Sequence, residues 1–263
     1  MPTIREFASA KSKRRKLVVV TAYDAWSARL LADSAVDALL VGDSAMMVMH
    51  GERDTLGATV ELMALHTRAV ARGAPDKLIV ADLPFLAARK RSAHALDAAA
   101  QLMRAGAHAV KIEGVRGHAD VIQHLVESGI PVMGHLGLQP QSVHAVGGYL
   151  VQGRDTGEAA QLREDAAALE AAGAFALVLE CVPAALAREV SAALRIPTIG
   201  IGAGGGCDGQ VLVLHDLLGF NPEFKPRFVR RFADGAAFFK KGIARYAAAV
   251  RSGKFPAKKE SFT

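Results

Sequence analysis

Short apolar runs recur along the chain, each closed by a glycine, a proline or an acidic residue. Each is followed by a stretch in which apolar positions fall three and four apart. The runs are "KLVVVTAYD", "DALLVGDS", "KLIVADLPF", "HAVKIEG", "IPVMGHLG", "FALVLEC", "IPTIGIGAG" and "GQVLVLHD". Their length and β-branched content suit buried strands, whereas the alanine-rich segments Val60–Arg72, His94–Arg104, His118–Glu127, Ala159–Ala171 and Ala184–Leu194 have the helical period. A strand and then a helix, repeated eight times, predicts the α/β class and a closed (β/α)8 TIM barrel. The whole of 1–263 is expected to form one barrel domain, with a basic N-terminal extension and C-terminal helices from Pro226 packing outside it or meeting another subunit.

The polar positions interrupt this pattern in one place above all, the ends of the strands. Asp24, Asp43 with Ser44, Asp82, Lys111 with Glu113, His135, Glu180, and His215 with Asp216 all stand there. A parallel barrel brings its C-terminal strand ends to one rim, where such folds carry their chemistry. In an extended strand, residues two apart share a face, so Lys111 and Glu113 point the same way. Asp24, just before "AWSARLLADS", reads as a helix cap. Two connections exceed the usual few residues: Ser44–Thr59, with Met46, Met47 and Met49, and Leu136–Gly157, with glutamines, His144 and Tyr149. The second reads as a binding loop or lid. The methionines either line a pocket or pack in the core.

Composition narrows the picture only slightly. With 51% hydrophobic residues and no run approaching the roughly 20 apolar residues of a membrane helix, no membrane role is expected. The two cysteines, Cys181 and Cys207, make no disulfide framework, and a cytoplasmic home is expected. The net charge of +6 gathers in "KSKRRK" and near the C-terminus, without the aromatic interleaving of a nucleic-acid surface, so these ends read as solvated and no nucleic-acid partner is expected.

Asp43, Asp82 and Glu113, on neighbouring strands, form a hard-oxygen set suited to Mg2+ with retained waters; a bare acid/base pair is the alternative. Lys111 offers either a clamp for a substrate carboxylate or phosphate or a Schiff-base amine, and the adjacent glutamate favours the clamp by keeping the ammonium charged. Glu180, across the barrel, is placed to remove a proton from a bound 2-oxo acid, whose enolate could then form a carbon-carbon bond. The glycines of "GIGAGGGCDG" are open to three readings: a phosphate cradle in a barrel, a dinucleotide loop in another fold, which lacks the acidic residue it needs, or simply a chain that passes close to a ligand. His135 and His144 are too few, with too little regularity of spacing, to argue for zinc, so His135 reads as a polar contact.

With these residues in place, the sequence resembles the ketopantoate hydroxymethyltransferase family over nearly its whole length. The motifs that carry the likeness are "TAYD", "LLVGDS", "HTRAVARGAP", "ADLPF", "RAGAHAVKIEG", "PVMGHLGLQPQSV", "GGYLVQGR" and "LVLECVP", with the segment from "IPTIGIGAG" to "GCDGQVLV". The resemblance implies hydroxymethyl transfer from 5,10-methylenetetrahydrofolate to 3-methyl-2-oxobutanoate through a Mg2+-stabilised enolate, giving 2-dehydropantoate for pantothenate synthesis. It also implies Asp43, Asp82 and Glu113 at the metal, Asp43, Ser44, Asp82 and Lys111 at the 2-oxo acid, His135 beside the pocket, and Glu180 as the general base. Small-molecule partners and a homo-oligomer, commonly a decamer, follow from the same likeness.

Two departures lie in the loop after the second strand. Ala45, Met46 and Met47 stand where the family usually has a large aliphatic residue, glycine and methionine, and Gly57 stands where proline is common. The competing enzyme reading is a Mg2+-dependent lyase or mutase of the phosphoenolpyruvate mutase and isocitrate lyase type. Such enzymes often show a cysteine motif after the fourth strand, and "GVRGHAD" has none. A non-catalytic basic scaffold is the remaining alternative, and the acidic strand ends argue against it.

Overall fold

A computed structural model describes residues 3–262. The chain divides into two compact units, one ending at Val213 and one beginning at Leu214. In the first, α1 (Ile4–Ser9) precedes β1 (Leu17–Thr21), α2 (Ala25–Ala32), β2 (Ala38–Val41), α3 (Ala45–Val48), α4 (Val60–Gly73) and β3 (Leu78–Asp82). Then come α5 (Ser92–Arg104), β4 (Ala109–Glu113), α6 (Ala119–Glu127), β5 (Val132–Gly137), α7 (Val143–Val146), α8 (Thr156–Ala171), β6 (Ala176–Glu180), α9 (Ala184–Ala193), β7 (Thr198–Ile201) and β8 (Gly209–Leu212). The eight strands run parallel and close in sequence order, β8 pairing with β1, as the TIM-barrel reading anticipated.

The helices begin where side chains can satisfy their open amides. Asp24 accepts from the Ser27 N–H at 2.8 Å and so starts α2, Thr59 accepts from Leu62 at the head of α4, and Asp155 accepts from Glu158 at the head of α8. Each then buries one stripe. Met63, Ala64, Thr67 and Val70 of α4 recur at helical spacing and lie buried.

The period of two decides what fills the barrel. Leu17, Val19, Ala38, Leu40, Leu78, Val80, Ala109, Met133, Ala176, Val178, Ile199 and Val211 form one buried cluster inside it, separate from the larger cluster that includes Leu39, Ile79, Val110 and Leu177. Followed toward the strand C-termini, the inward parity of β3 reaches Asp82, that of β4 reaches Lys111 and Glu113, that of β5 reaches His135, and that of β6 reaches Glu180. Phe7 of α1 and Ala10 just after it join the interior cluster, with the Phe7 ring edge-on to Phe175. Burying a phenyl side chain is worth roughly 1.5–3 kcal/mol.

The structure departs from the sequence expectation in two places here. The basic run is not simply solvated: Lys11 reaches the Ser191 carbonyl and pairs with Asp208 at 3.2 Å, Arg15 pairs with Asp37, and Lys16 donates to the Cys207 carbonyl. And no helix separates β7 from β8. Residues 202–208 return instead as a glycine-rich loop, in which a Cβ on Gly204 or Gly206 would strike Ala184 or Arg188 of α9. The glycines therefore serve close approach to a helix. Val18, on the outer face of β1, stays exposed and borders a groove of about 460 Å3 with Lys16, Gly205, Cys207 and Gln210.

The second unit holds α10 (Leu214–Leu217) and α11 (Gly235–Arg251), the latter capped by Asp234. His215 and Asp216, read above as a strand end, belong to α10. No residue of α11 is buried, and Phe239, Ile243, Tyr246 and Val250 follow one another at helical spacing as exposed apolar side chains. Among the described residues no helix is long and apolar enough to cross a membrane, and both cysteines are free and buried.

Candidate active site

Strand pairing lines up the inward polar residues at the C-terminal ends of β3 to β6. Asp82 is opposite Lys111, and Glu113 is opposite His135. Gly137 is opposite Glu180, and with φ +88 its backbone passes so close to the Glu180 carbonyl that no Cβ would fit. Asp43, Asp82, Lys111, Glu113 and His135 are all buried, while Glu180 is the most open of the group, its side chain 17% exposed.

The contacts form a connected network. The Lys111 ammonium lies 3.1 Å from Asp82 Oδ1 and 3.2 Å from His135 Nδ1. The His135 ring stands between two carboxylates, 3.4 Å from Glu113 Oε1 on one side and 3.2 Å from Glu180 Oε2 on the other. The Asp43 N–H donates to Asp82 Oδ2 at 3.0 Å, tying β2 to β3. Burial and the lysine favour a neutral imidazole, yet the flanking carboxylates outweigh them and push the His135 pKa up to about 9. Burial also works against the charges on Lys111 and Glu113. The surrounding carboxylates nonetheless raise the Lys111 pKa, while His135 and Lys111 hold that of Glu113 below its ordinary value. Asp43 goes the other way: burial and then the charges of Asp82 and Glu113 hold it well above the usual carboxylate range.

The cluster is thus short of positive charge, four carboxylates facing two cations. Asp82 Oδ1 and Glu113 Oε1 are buried with charged neighbours but no aligned hydrogen-bond donor. These lone pairs and the hard-oxygen character of the set fit a divalent cation. Among the described residues no three His, Cys, Asp or Glu side chains form a ready-made cage. Mg2+ commonly keeps several waters and takes one or two carboxylates together with substrate oxygens.

Two participants escaped the sequence reading. Tyr23, buried just after β1, holds the Ser44 hydroxyl at 2.8 Å, and burial raises its phenol pKa. Gln141, in the turn after β5, touches both Asp43 and Glu113. "TAYD" and "LGLQPQSV" contained both residues, but no spacing in one strand reveals a partner on another. His144, by contrast, is exposed and lies 3.7 Å from Asp54.

The loops after β2 and β5 meet where the Tyr149 hydroxyl approaches Met47 Sδ at 3.7 Å. Met46 is buried in the outer core, and its Cε lies 3.1 Å from where a Cβ on Gly57 would stand. The two departures from the family pattern are therefore in contact, and the glycine leaves room for the methionine. Gly57→Pro alone is expected to destabilise the protein by about 1–3 kcal/mol through overpacking. Combined with Met46→Gly, the total loss should fall short of the sum of the single losses by about 1 kcal/mol in urea melts; simple additivity would refute the contact.

Comparison with known proteins now decides the family. The family model described as ketopantoate hydroxymethyltransferase matches residues 2–258. The chain belongs to the ketopantoate hydroxymethyltransferase family. Membership makes it a transferase. A relative from Bdellovibrio bacteriovorus named 3-methyl-2-oxobutanoate hydroxymethyltransferase is 52% identical over 100% of both chains. One of the same name from Francisella tularensis subsp. novicida is 45% identical, covering 100% of this chain and 99% of the relative. Among solved structures, phosphonopyruvate hydrolase in complex with oxalate and Mg2+ superposes with a TM-score of 0.64 at 13% identity, covering 99% of this chain and 93% of that one. For 2,3-dimethylmalate lyase the values are 0.60 and 18%, covering 100% and 93%. At such identity these last two share the barrel fold and nothing finer is drawn from them.

Proposed function

We propose that this member of the ketopantoate hydroxymethyltransferase family moves a one-carbon unit from 5,10-methylenetetrahydrofolate to 3-methyl-2-oxobutanoate, giving 2-dehydropantoate and tetrahydrofolate. The observation that carries the reading is Glu180, the most open carboxylate of the cluster, facing the barrel mouth beside His135 and across from Asp43, Asp82 and Lys111. In this arrangement Asp43, Ser44, Asp82 and Lys111 bind the 2-oxo acid, the ammonium meeting its carboxylate. Glu180 takes the proton from C3, and the electron pair left behind delocalises onto the C2 oxygen. His135, charged between Glu113 and Glu180, orients the base. C3 then bonds to the folate-borne methylene carbon, whose two C–N bonds break: water supplies the hydroxyl left on that carbon, the C3 proton and the remaining water proton go to the two folate nitrogens, and tetrahydrofolate leaves.

Asp43, Asp82 and Glu113 are the residues that would hold Mg2+. When bound, the ion supplies charge stabilisation for the developing enolate oxygen. Exposed Phe85, Tyr149 and Leu150, on loops following β3 and β5, offer apolar surface for the folate ring system. Assembly into a homo-oligomer belongs to the same proposal, supported by the apolar face of α11. Unlike the lyase and mutase reading, this one needs no cysteine after β4, where none stands.

The test is proton exchange. In D2O with Mg2+ and without folate, 3-methyl-2-oxobutanoate should lose its C3 proton signal in NMR, and adding 5,10-methylenetetrahydrofolate should then yield 2-dehydropantoate. Absence of both exchange and product would overturn the proposal.

A further inference from the structure

Gln141 occupies a position with no assigned role, in the single 3-10 turn Pro140–Ser142 that follows β5. Its backbone N–H donates to Glu113 Oε2 at 3.1 Å. Its side-chain nitrogen donates to Asp43 Oδ2 at 2.8 Å and to the Leu83 carbonyl at 3.0 Å. One residue thereby reaches the ends of β2, β3 and β4 from the loop after β5. The Leu83 carbonyl is a pure acceptor, so only the NH2 edge of the amide can face it, and the second hydrogen of that edge goes to Asp43. The amide orientation is fixed by chemistry.

Asp43 is buried, and Gln141 supplies the side-chain hydrogen bond seen on its carboxylate. With one oxygen of Asp43 and one of Glu113 each engaged by Gln141, the orientations of both carboxylates are set. Outer-shell donors of this kind direct the lone pairs of ligating carboxylates, and losing one typically lowers metal affinity by about 10–100-fold.

We infer that Gln141 is a positioning residue for the cation-holding carboxylates, aligning Asp43 and Glu113 from the lid loop so that a divalent ion meets them in a fixed geometry. This rests on the reading of Asp43, Asp82 and Glu113 as the Mg2+ site. Because Gln141 lies in that loop, it also makes cation binding depend on the loop's placement.

The test is calorimetric titration of MgCl2 into the full chain, with folding followed by circular dichroism and thermal melting in EDTA. Gln141→Met keeps the length and removes both side-chain donors; Gln141→Asn keeps an amide on a shorter stem. The methionine variant should fold and bind Mg2+ about 10–100-fold more weakly than the parent, with the asparagine variant between them. A folded methionine variant whose affinity stays within about twofold of the parent overturns the inference while leaving the metal reading intact. If the methionine variant does not fold, the asparagine variant decides by the same criterion. A parent chain that binds no Mg2+ overturns the metal reading, and this inference with it.

Discussion

Glu180→Gln should slow exchange of the substrate's C3 proton by about 10²–10⁴-fold, the range that a positioned general base contributes. The substitution preserves the shape of the last residue of β6 and can still hydrogen-bond to His135, 3.2 Å away. What it removes is the ability to accept a proton. Since Lys111, Asp82 and Ser44 lie on other strands or loops, 2-oxo acid binding should remain nearly intact, giving a loss in kcat with little change in Kd. Undiminished exchange in the variant would sink the assignment of Glu180 as base, whatever the overall transferase rate.

Lys111→Met tests the other half of the site. The ammonium is buried among Asp82, Glu113 and Asp43, and removing one partner of such a cluster typically costs about 3–5 kcal/mol, because charge is left uncompensated. The loss should appear in urea melts and be smaller with Mg2+ than with EDTA, as a cation replaces part of the missing charge. Binding of 3-methyl-2-oxobutanoate should weaken as well. An unchanged dissociation constant would contradict the clamp, and unchanged stability in EDTA would contradict the role of counter-charge.

Much of this architecture is legible in the sequence. The β strands were readable because a buried parallel strand is a short apolar run with a sharp end, and all eight fall within the segments marked out by pattern. Lys111 and Glu113 were readable as a pair because the period of two is a local property of one strand. The gathering of Asp43, Asp82, His135 and Glu180 followed from barrel closure. Gln141 was not legible in that way: its partner Asp43 lies 98 positions earlier, and a polar residue in a turn carries no periodicity. Nor were the anchors of the basic run, since the carbonyls that hold Lys11 and Lys16 come from residues 180 and 191 positions later. The missing helix between β7 and β8 was hidden by an assumption of regular repetition, although seven residues rich in glycine are too few for a crossover helix.

The contact between Met46 and Gly57 also bears on how this loop can change over time. Restoring proline at 57 first meets the methionine, and restoring glycine at 46 first opens a void, so each single step descends. The pair behaves as one heritable unit separated from the common family arrangement by a valley. A library that randomises either site alone would discard the route between the two, and only joint variation of both positions would recover it.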